Sequence, residues 1–401
     1  MNTETTKSRL FFLDNLKVLF TILVIFQHVR VTYGGTGGWY YIEAAPSDLA
    51  SIIFFTALTS IGGLFQASLM GLFFLMGGYF TPKSYDRKGV RSFWKERLLR
   101  LGIPLLLYIF LINPILRYIP YALGIPNYGS YATPQGSFLD YYLSQFQSLE
   151  AFIGFLTSTG PMWFLYVLLI FTIVYTIWRQ ITKIDLIQRR IPKEFSIPKY
   201  FYLLLVAISL GFLTFLFRLV SPIDAFPFGM PFGFFAIYLM MFSVGVICVR
   251  YDWIGKMRKH HVKAWAITIL AAFILLNLYV VFFVGFDSDL SVFLGGPNLS
   301  ALAFAMAENI ISMGMIFVLL KIFYAKFNDQ GSILKNLSSS AFYMYLIHPI
   351  VLVPVSLGFA YVPLFPVIKL VLVFPITVIF CYLLSHYILE KIQLKKPTRV
   401  T

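Results

Sequence analysis

The chain has 401 residues, of which 59% are apolar and 12% charged, with 43 phenylalanines and a mean hydropathy of +0.80. Soluble domains carry about 25% charged residues, so this composition excludes a soluble globular enzyme, a disordered chain and a disulfide-built secreted module. The formal net charge of +15 would suit nucleic acid in a soluble protein, but here the basic residues flank apolar runs and mark topology, so no nucleic-acid partner is expected.

A spanning helix needs about 20 mostly apolar residues. The sequence predicts an all-α integral membrane protein, a single domain over 1–401, with about ten transmembrane helices. They fall near 11–31, 54–80, 101–118, 160–178, 200–220, 229–249, 264–285, 300–322, 341–360 and 367–389. The first run mimics a signal peptide, with Lys7 and Arg9 ahead of it. Asp14 and Lys17 interrupt it and no small-x-small cleavage site follows, so it reads as an uncleaved span. The segment 81–100 holds seven Lys/Arg, 179–199 six, 250–263 five, 321–340 three, the tail from Glu390 four and the N-terminus two. The alternate loops 32–53, 119–159, 221–228, 286–299 and 361–366 hold none. By the positive-inside rule both termini are cytoplasmic. The longest outer loop, 119–159, is expected to pack over an external opening. Cys248 and Cys381 lie in apolar runs and build neither a disulfide nor a metal framework.

Five basic residues remain: Lys17, Arg30, Arg117, Arg218 and Lys369. A charge near the bilayer centre costs roughly 2.5–3.5 kcal/mol on insertion scales, so such groups snorkel, pair or face a polar interior. Arg117 and Lys369 sit near span ends and are expected to snorkel. For Arg30 and Arg218, near the outer ends of the first and fifth spans, snorkelling and a polar interior both stay open. Lys17 lies beside Asp14, where a local ion pair is available. Lys17 and His28 are 11 positions apart, about 1100° or three turns plus 20°, and roughly 16 Å along the axis. Both therefore project from one face of the first span, as in a groove crossing the membrane; a shared neighbouring helix would give the same stripe.

Glu308 lies in the middle third of the eighth span, where a carboxylate needs a cationic partner or a proton. Arg97 and Arg100, at i and i+3 beside the third span, suit a phosphate and equally serve as topology anchors. His348 interrupts the ninth span, and Pro349 after it frees a backbone carbonyl. The segment TYGGTGGWYYIEAAP after His28 offers rings that stack on sugars or form an interfacial belt. No G-x-x-x-x-G-K-[ST], H-E-x-x-H, G-x-S-x-G or metal-spaced Cys/His cluster occurs. Nucleotide hydrolysis, zinc proteolysis and a serine elbow lose support, and no metal is expected.

The segment FLDNLKVLFTILVIFQH resembles the first-span signature of the membrane acyltransferase family 3, which is Arg or Lys, ten residues, then His; here these are Lys17 and His28. GLFFLMGGYF (71–80) is similar to the family's FF-x-x-SG-[FY] element, and FWKERLLRLGIP (93–104) to its R-x-x-R-x-x-x-P element. MWFLYVLL (162–169) and SSSAFYMYLIHPIVL (338–352) match later elements. The subgroup it resembles most is the glucan-modifying one, similar to glucan biosynthesis protein C succinyltransferases. The resemblance implies transfer of a short acyl group, acetyl or succinyl, from cytoplasmic acyl-CoA to a hydroxyl of an external glycan or lipid. It implies acyl-CoA as co-substrate with no bound cofactor, and a bacterial inner membrane.

It further implies His28 as general base, with an acyl-His intermediate as the variant, and Glu308 beside it in the catalytic group, balancing buried cations. Arg97 and Arg100 would hold the CoA phosphates and Lys17 would lie along the pantetheine path. Arg218 or Arg30 would serve the oxyanion or an anionic acceptor, and His348 would join the substrate-binding set. Two departures stand out. Lys17 replaces the commoner Arg, losing bidentate anion binding, and Gly77 replaces Ser, removing a hydroxyl from the pore wall. The competing reading is a transporter or flippase for a polar or lipid-linked substrate; no repeated halves are detectable, which weighs against it.

Overall fold

In lipid every backbone polar group must be satisfied within its own segment, so long apolar runs fold as helices. The computed structural model describes residues 10–35, 37–43, 49–125, 129, 132–182, 192, 194–285 and 290–389. Among these residues there is no strand, and nine helices are long and apolar enough to cross a membrane. Their cores are α1 (Phe11–Thr32), α2 (Leu49–Arg97), α3 (Trp163–Ile181), α4 (Tyr200–Val220) and α5 (Phe235–Tyr251). They continue with α6 (Lys259–Tyr279), α7 (Leu299–Lys326), α8 (Ser332–Gly358) and α9 (Pro366–Leu384). The basic residues Lys7 and Arg9, those of 183–191 and 193, and those of the tail from Glu390 lie outside the described residues.

The second of the nine runs from Ile53 to Ala122, 70 residues, which would measure about 105 Å if straight. It is not straight. Gly89 has φ 69 and ψ 166, and across it the chain doubles back. Arg97 Nη2 donates to Thr81 Oγ1 at 2.9 Å, 16 positions earlier, where a straight helix would hold them about 24 Å apart. Lys88 pairs with Glu96, and the Tyr85 and Phe93 rings meet edge to face at 5.4 Å. The spans expected at 54–80 and 101–118 are the two arms of this hairpin. The backbone at Gly89 is in a region nearly reserved for glycine, so Gly89→Ala is expected to cost about 1–3 kcal/mol. Thermal unfolding in detergent would read this against Gly154→Ala, whose added methyl meets nothing and whose φ is ordinary.

The second arm (90–122) contains Pro104 and Pro114, each without an N–H to give the preceding turn. π-helical turns at Leu98–Gly102 and Tyr108–Ile112 accommodate them. The Phe110 carbonyl, four residues before Pro114, accepts instead from the Tyr142 hydroxyl at 3.2 Å. Tyr142 belongs to the long loop 119–159, which carries two short helices, Phe138–Ser144 and Leu149–Leu156. That loop is also tied to the arm by Asn113 Nδ2, which donates to Ser158 O and Oγ at 2.9 and 3.0 Å.

α2 and α5 form the centre of the bundle. A methyl added at Gly78 would sit 2.0 Å from the Phe242 carbonyl oxygen, and one at Gly245 2.0 Å from that of Leu75. Small residues let spanning backbones approach this closely. α7 packs against α2, α4 and α6, while α8 packs against α1 and α9. Gly77 corrects a sequence expectation. A side chain there would meet Leu168 Cδ1 of α3 at 2.8 Å, so the glycine serves helix packing and removes no hydroxyl from a polar wall.

Candidate active site

α1 ends one turn after His28. Thr32 Oγ1 donates to the His28 carbonyl at 2.9 Å, and Gly35 N to the Arg30 carbonyl at 2.8 Å, so two of the last orphan carbonyls are satisfied locally. The chain then reverses, and Glu43 N reaches back to the Thr32 carbonyl at 2.8 Å. This return lays Trp39 flat on His28, with ring centroids 4.2 Å apart and planes 21° apart. Trp39, Tyr40 and Tyr41 are all buried, so these three rings form neither an interfacial belt nor an exposed sugar platform. The Tyr40 hydroxyl donates to Asn113 Oδ1 at 2.7 Å, which fastens the segment to the second arm.

Lys369 supplies the other fastening. Its Nζ lies 2.8 and 2.9 Å from the two carboxylate oxygens of Glu43, and it is buried rather than snorkelling as expected. The reason is the acidic partner that the segment after α1 brings to it. Breaking a buried pair by removing one partner costs about 3–5 kcal/mol, and the partial exposure of Glu43 puts this pair at the lower end. Lys369→Met is therefore expected to lower the unfolding midpoint, with Lys369→Met/Glu43→Gln recovering most of the loss.

His348 also packs against His28, with centroids 5.1 Å apart and planes 18° apart, and it lies 6.1 Å from Trp39, so the three near-parallel rings form one triangular cluster. Its orientation follows from Pro349. Lacking an N–H, Pro349 leaves the Tyr345 carbonyl without its helical partner, and His348 Nδ1 takes it at 2.5 Å. A carbonyl only accepts, so Nδ1 carries the hydrogen. A neutral His348 then presents Nε2 as a bare acceptor, and this atom has no partner among the described residues. Tyr345 itself donates its hydroxyl to the Pro161 carbonyl at 2.5 Å.

His28 is half-buried and faces a cavity of ≈ 50 Å³, whose walls include Gln27, Gln66, Met70, Trp163 and Tyr345. An amide network borders it. Arg30 Nε donates to Gln27 Oε1 at 3.1 Å, and Gln27 Nε2 donates to the Gly62 carbonyl at 3.3 Å and to Gln66 Oε1 at 3.2 Å. Arg30 is buried. Its guanidinium fits because Gly35 and Gly62 lack side chains: a methyl at either would lie 2.6 or 2.9 Å from it. Of the two readings open for Arg30, the polar interior holds.

Arg218 and Glu308 meet elsewhere. Arg218 Nη2 lies 2.6 Å from Glu308 Oε2, and both side chains are fully buried. Arg218 Nε donates to the Gly233 carbonyl at 3.1 Å, and its guanidinium lies over Phe234 at 5.0 Å. Phe234 stacks on Tyr238, and Tyr238 on Trp163, which lines the cavity. A layer of three aromatic rings thus stands between this pair and His28. Lys17 pairs with Asp14 at 3.1 Å near the far end of α1. Arg97 is engaged with Thr81 in the hairpin, while Arg100 is exposed with Glu96 3.5 Å away.

The profile of the acyltransferase domain of the membrane acyltransferase 3 family matches residues 10–386. The chain belongs to this family. It is similar to the glucans biosynthesis protein C of Salmonella typhi and that of Salmonella typhimurium, each 32% identical over 105 residues. The Salmonella dublin protein of the same name is 31% identical over the same length. These matches cover 26% of this chain, and the chain spans about a quarter of the length of the curated relatives it matches. No solved structure matches it significantly.

In this acyltransferase the fold brings together His28, Arg30 and His348 of the expected residues, and leaves Lys17, Arg97, Arg100, Arg218 and Glu308 outside the His28 cavity. Gln27, Gln66 and Tyr345 are not among the expected site residues, and Trp39 enters only as one ring of the segment after His28. Gln27 and Gln66 carried a usable signal, since each interrupts an apolar run and an amide in lipid needs partners. Trp39 carried a stacking signal but not its partner, and Tyr345 carried none, because aromatic rings are abundant throughout the chain.

Proposed function

We propose that this acyltransferase transfers an acetyl or succinyl group from cytoplasmic acyl-CoA to a hydroxyl of an extracytoplasmic glucan. In this reading it sits in a bacterial inner membrane with both termini cytoplasmic, and His28 is the general base. The observation that carries it is a histidine packed against two near-parallel rings while facing a small cavity bordered by amides. The acceptor oxygen attacks the thioester carbonyl carbon as its proton passes to the His28 imidazole. The resulting C–O bond stays, the C–S bond breaks, and the CoA thiolate recovers the proton. Positioning of this kind is worth several orders of magnitude because it replaces a bimolecular encounter. The relatives' name favours a glucan acceptor; a lipid hydroxyl fits the same chemistry. Arg97 and Arg100 are proposed for the CoA phosphates, with Lys17 further along α1 on the donor's path.

The test is mass spectrometry of envelope glycans and lipids from cells with the wild-type protein and from cells without it. An acetyl or succinyl increment on a glucan, present only with the protein, is the expected result and names donor group and acceptor together. An unchanged set of acyl masses in every envelope fraction would overturn the reading.

A further inference from the structure

The amides beside His28 are oriented by chemistry that permits only one arrangement. An arginine Nε only donates, so the Gln27 atom 3.1 Å from Arg30 Nε must be its oxygen. A backbone carbonyl only accepts, so the Gln27 atom 3.3 Å from the Gly62 oxygen must be its nitrogen. These two constraints agree and fix the Gln27 amide from both ends. Its nitrogen also lies 3.2 Å from the Gln66 side chain, and what accepts there must be the Gln66 oxygen. The Gln66 NH2 group is thereby turned away from Gln27, on a residue that lines the same cavity as His28. The relay begins at a guanidinium seated where Gly35 and Gly62 leave room for it.

We infer that Gln66 is a catalytic residue whose carboxamide N–H holds the oxyanion formed when the hydroxyl adds to the thioester carbonyl, with Gln27 and Arg30 as the positioning residues that aim it. This assignment rests on the acyl-transfer reading. In the addition step the carbonyl π pair moves onto oxygen, to which the Gln66 N–H donates a hydrogen bond, while the hydroxyl proton goes to His28. In the collapse the pair returns to re-form C=O and the C–S bond breaks. A donor fixed before the reaction stabilises that charge without reorganising, and removing one such donor typically costs about 10²–10³ in kcat.

Gln27→Glu gives the sharpest test, because it leaves Gln66 in place. A carboxylate at 27 still accepts from Arg30 but has no N–H for Gln66. The Gln66 amide then turns its NH2 toward residue 27 and presents an oxygen to the cavity. The full chain would be placed in lipid nanodiscs with acetyl-CoA or succinyl-CoA and a glucose oligosaccharide, and thiol release and product mass followed. Gln66→Leu and Gln27→Glu are each expected to lower kcat by about 10²-fold or more with KM for the thioester unchanged. The double variant is expected to fall no further than either single, because both remove one donor. An additive double loss, full activity in Gln27→Glu, or a rise in KM at unchanged kcat would each overturn the assignment. If the wild-type protein transfers neither acyl group, the acyl-transfer reading fails. If it transfers one and Gln66→Leu does so equally well, only Gln66 is removed from the site.

Discussion

His28→Ala is expected to lower kcat for acyl transfer by about 10²–10⁴-fold, the usual worth of a positioned general base. The assay is thiol release from acyl-CoA by the purified protein, with KM for the thioester as the companion readout. His28 packs against Trp39 and His348, at 4.2 and 5.1 Å between ring centroids, so alanine also leaves a gap beside two rings. His28→Gln separates the two effects, since it keeps most of the volume and removes the base. Both variants inactive with intact thermal stability is the expected outcome. A glutamine variant with wild-type kcat would remove His28 from the chemistry and leave it as a spacer.

The second large effect is at Arg218 and Glu308. The pair is fully buried with its closest oxygen at 2.6 Å, and Arg218 Nη1 and Glu308 Oε1 have no further partner among the described residues. Removing one member leaves an uncompensated charge, so Arg218→Met or Glu308→Leu alone is expected to destabilise by about 3–5 kcal/mol. Replacing both is expected to restore much of that, because apolar residues often substitute for a buried pair at little net cost. Thermal unfolding and acyl transfer, measured together on the single and double variants, separate two roles. If the double variant regains stability and activity, the pair is structural, as its place behind Phe234, Tyr238 and Trp163 argues. Stability regained without activity would return Arg218 and Glu308 to the reaction.

Much of the fold was legible because lipid makes a simple demand. Apolar length marked the spans, and among the described residues nine helices long and apolar enough to cross a membrane, the longest folded into two arms at Gly89, lie where the runs do. The site was legible in part. The Lys17–His28 spacing marked one face of α1, and Pro349 marked a freed carbonyl, which His348 takes. Pairing was harder to read, because partners lie far apart in the chain. Lys369 and Glu43 are 326 positions apart, and Arg218 and Glu308 are 90. Each charge could be flagged as needing a solution, but only packing reveals which one it finds. The amide relay stayed hidden for a related reason: uncharged residues set off no alarm in a charge count, although burial makes their hydrogen bonds nearly as binding.

The contact between α2 and α5 has a mechanical side. At Gly78 and Gly245 one backbone lies directly on the other, so neither helix can roll or slide without driving a carbonyl into its neighbour. Gln66 and Met70 ride on that same α2, beside the His28 cavity. A centre built this way opposes the rocking of one half against another by which many transporters expose a site to each side in turn. Under the acyl-transfer reading, both substrates come to a stationary histidine from opposite faces. Under that same reading, what traverses the bilayer is only the few atoms of the acyl group, moved as its thioester bond is spent.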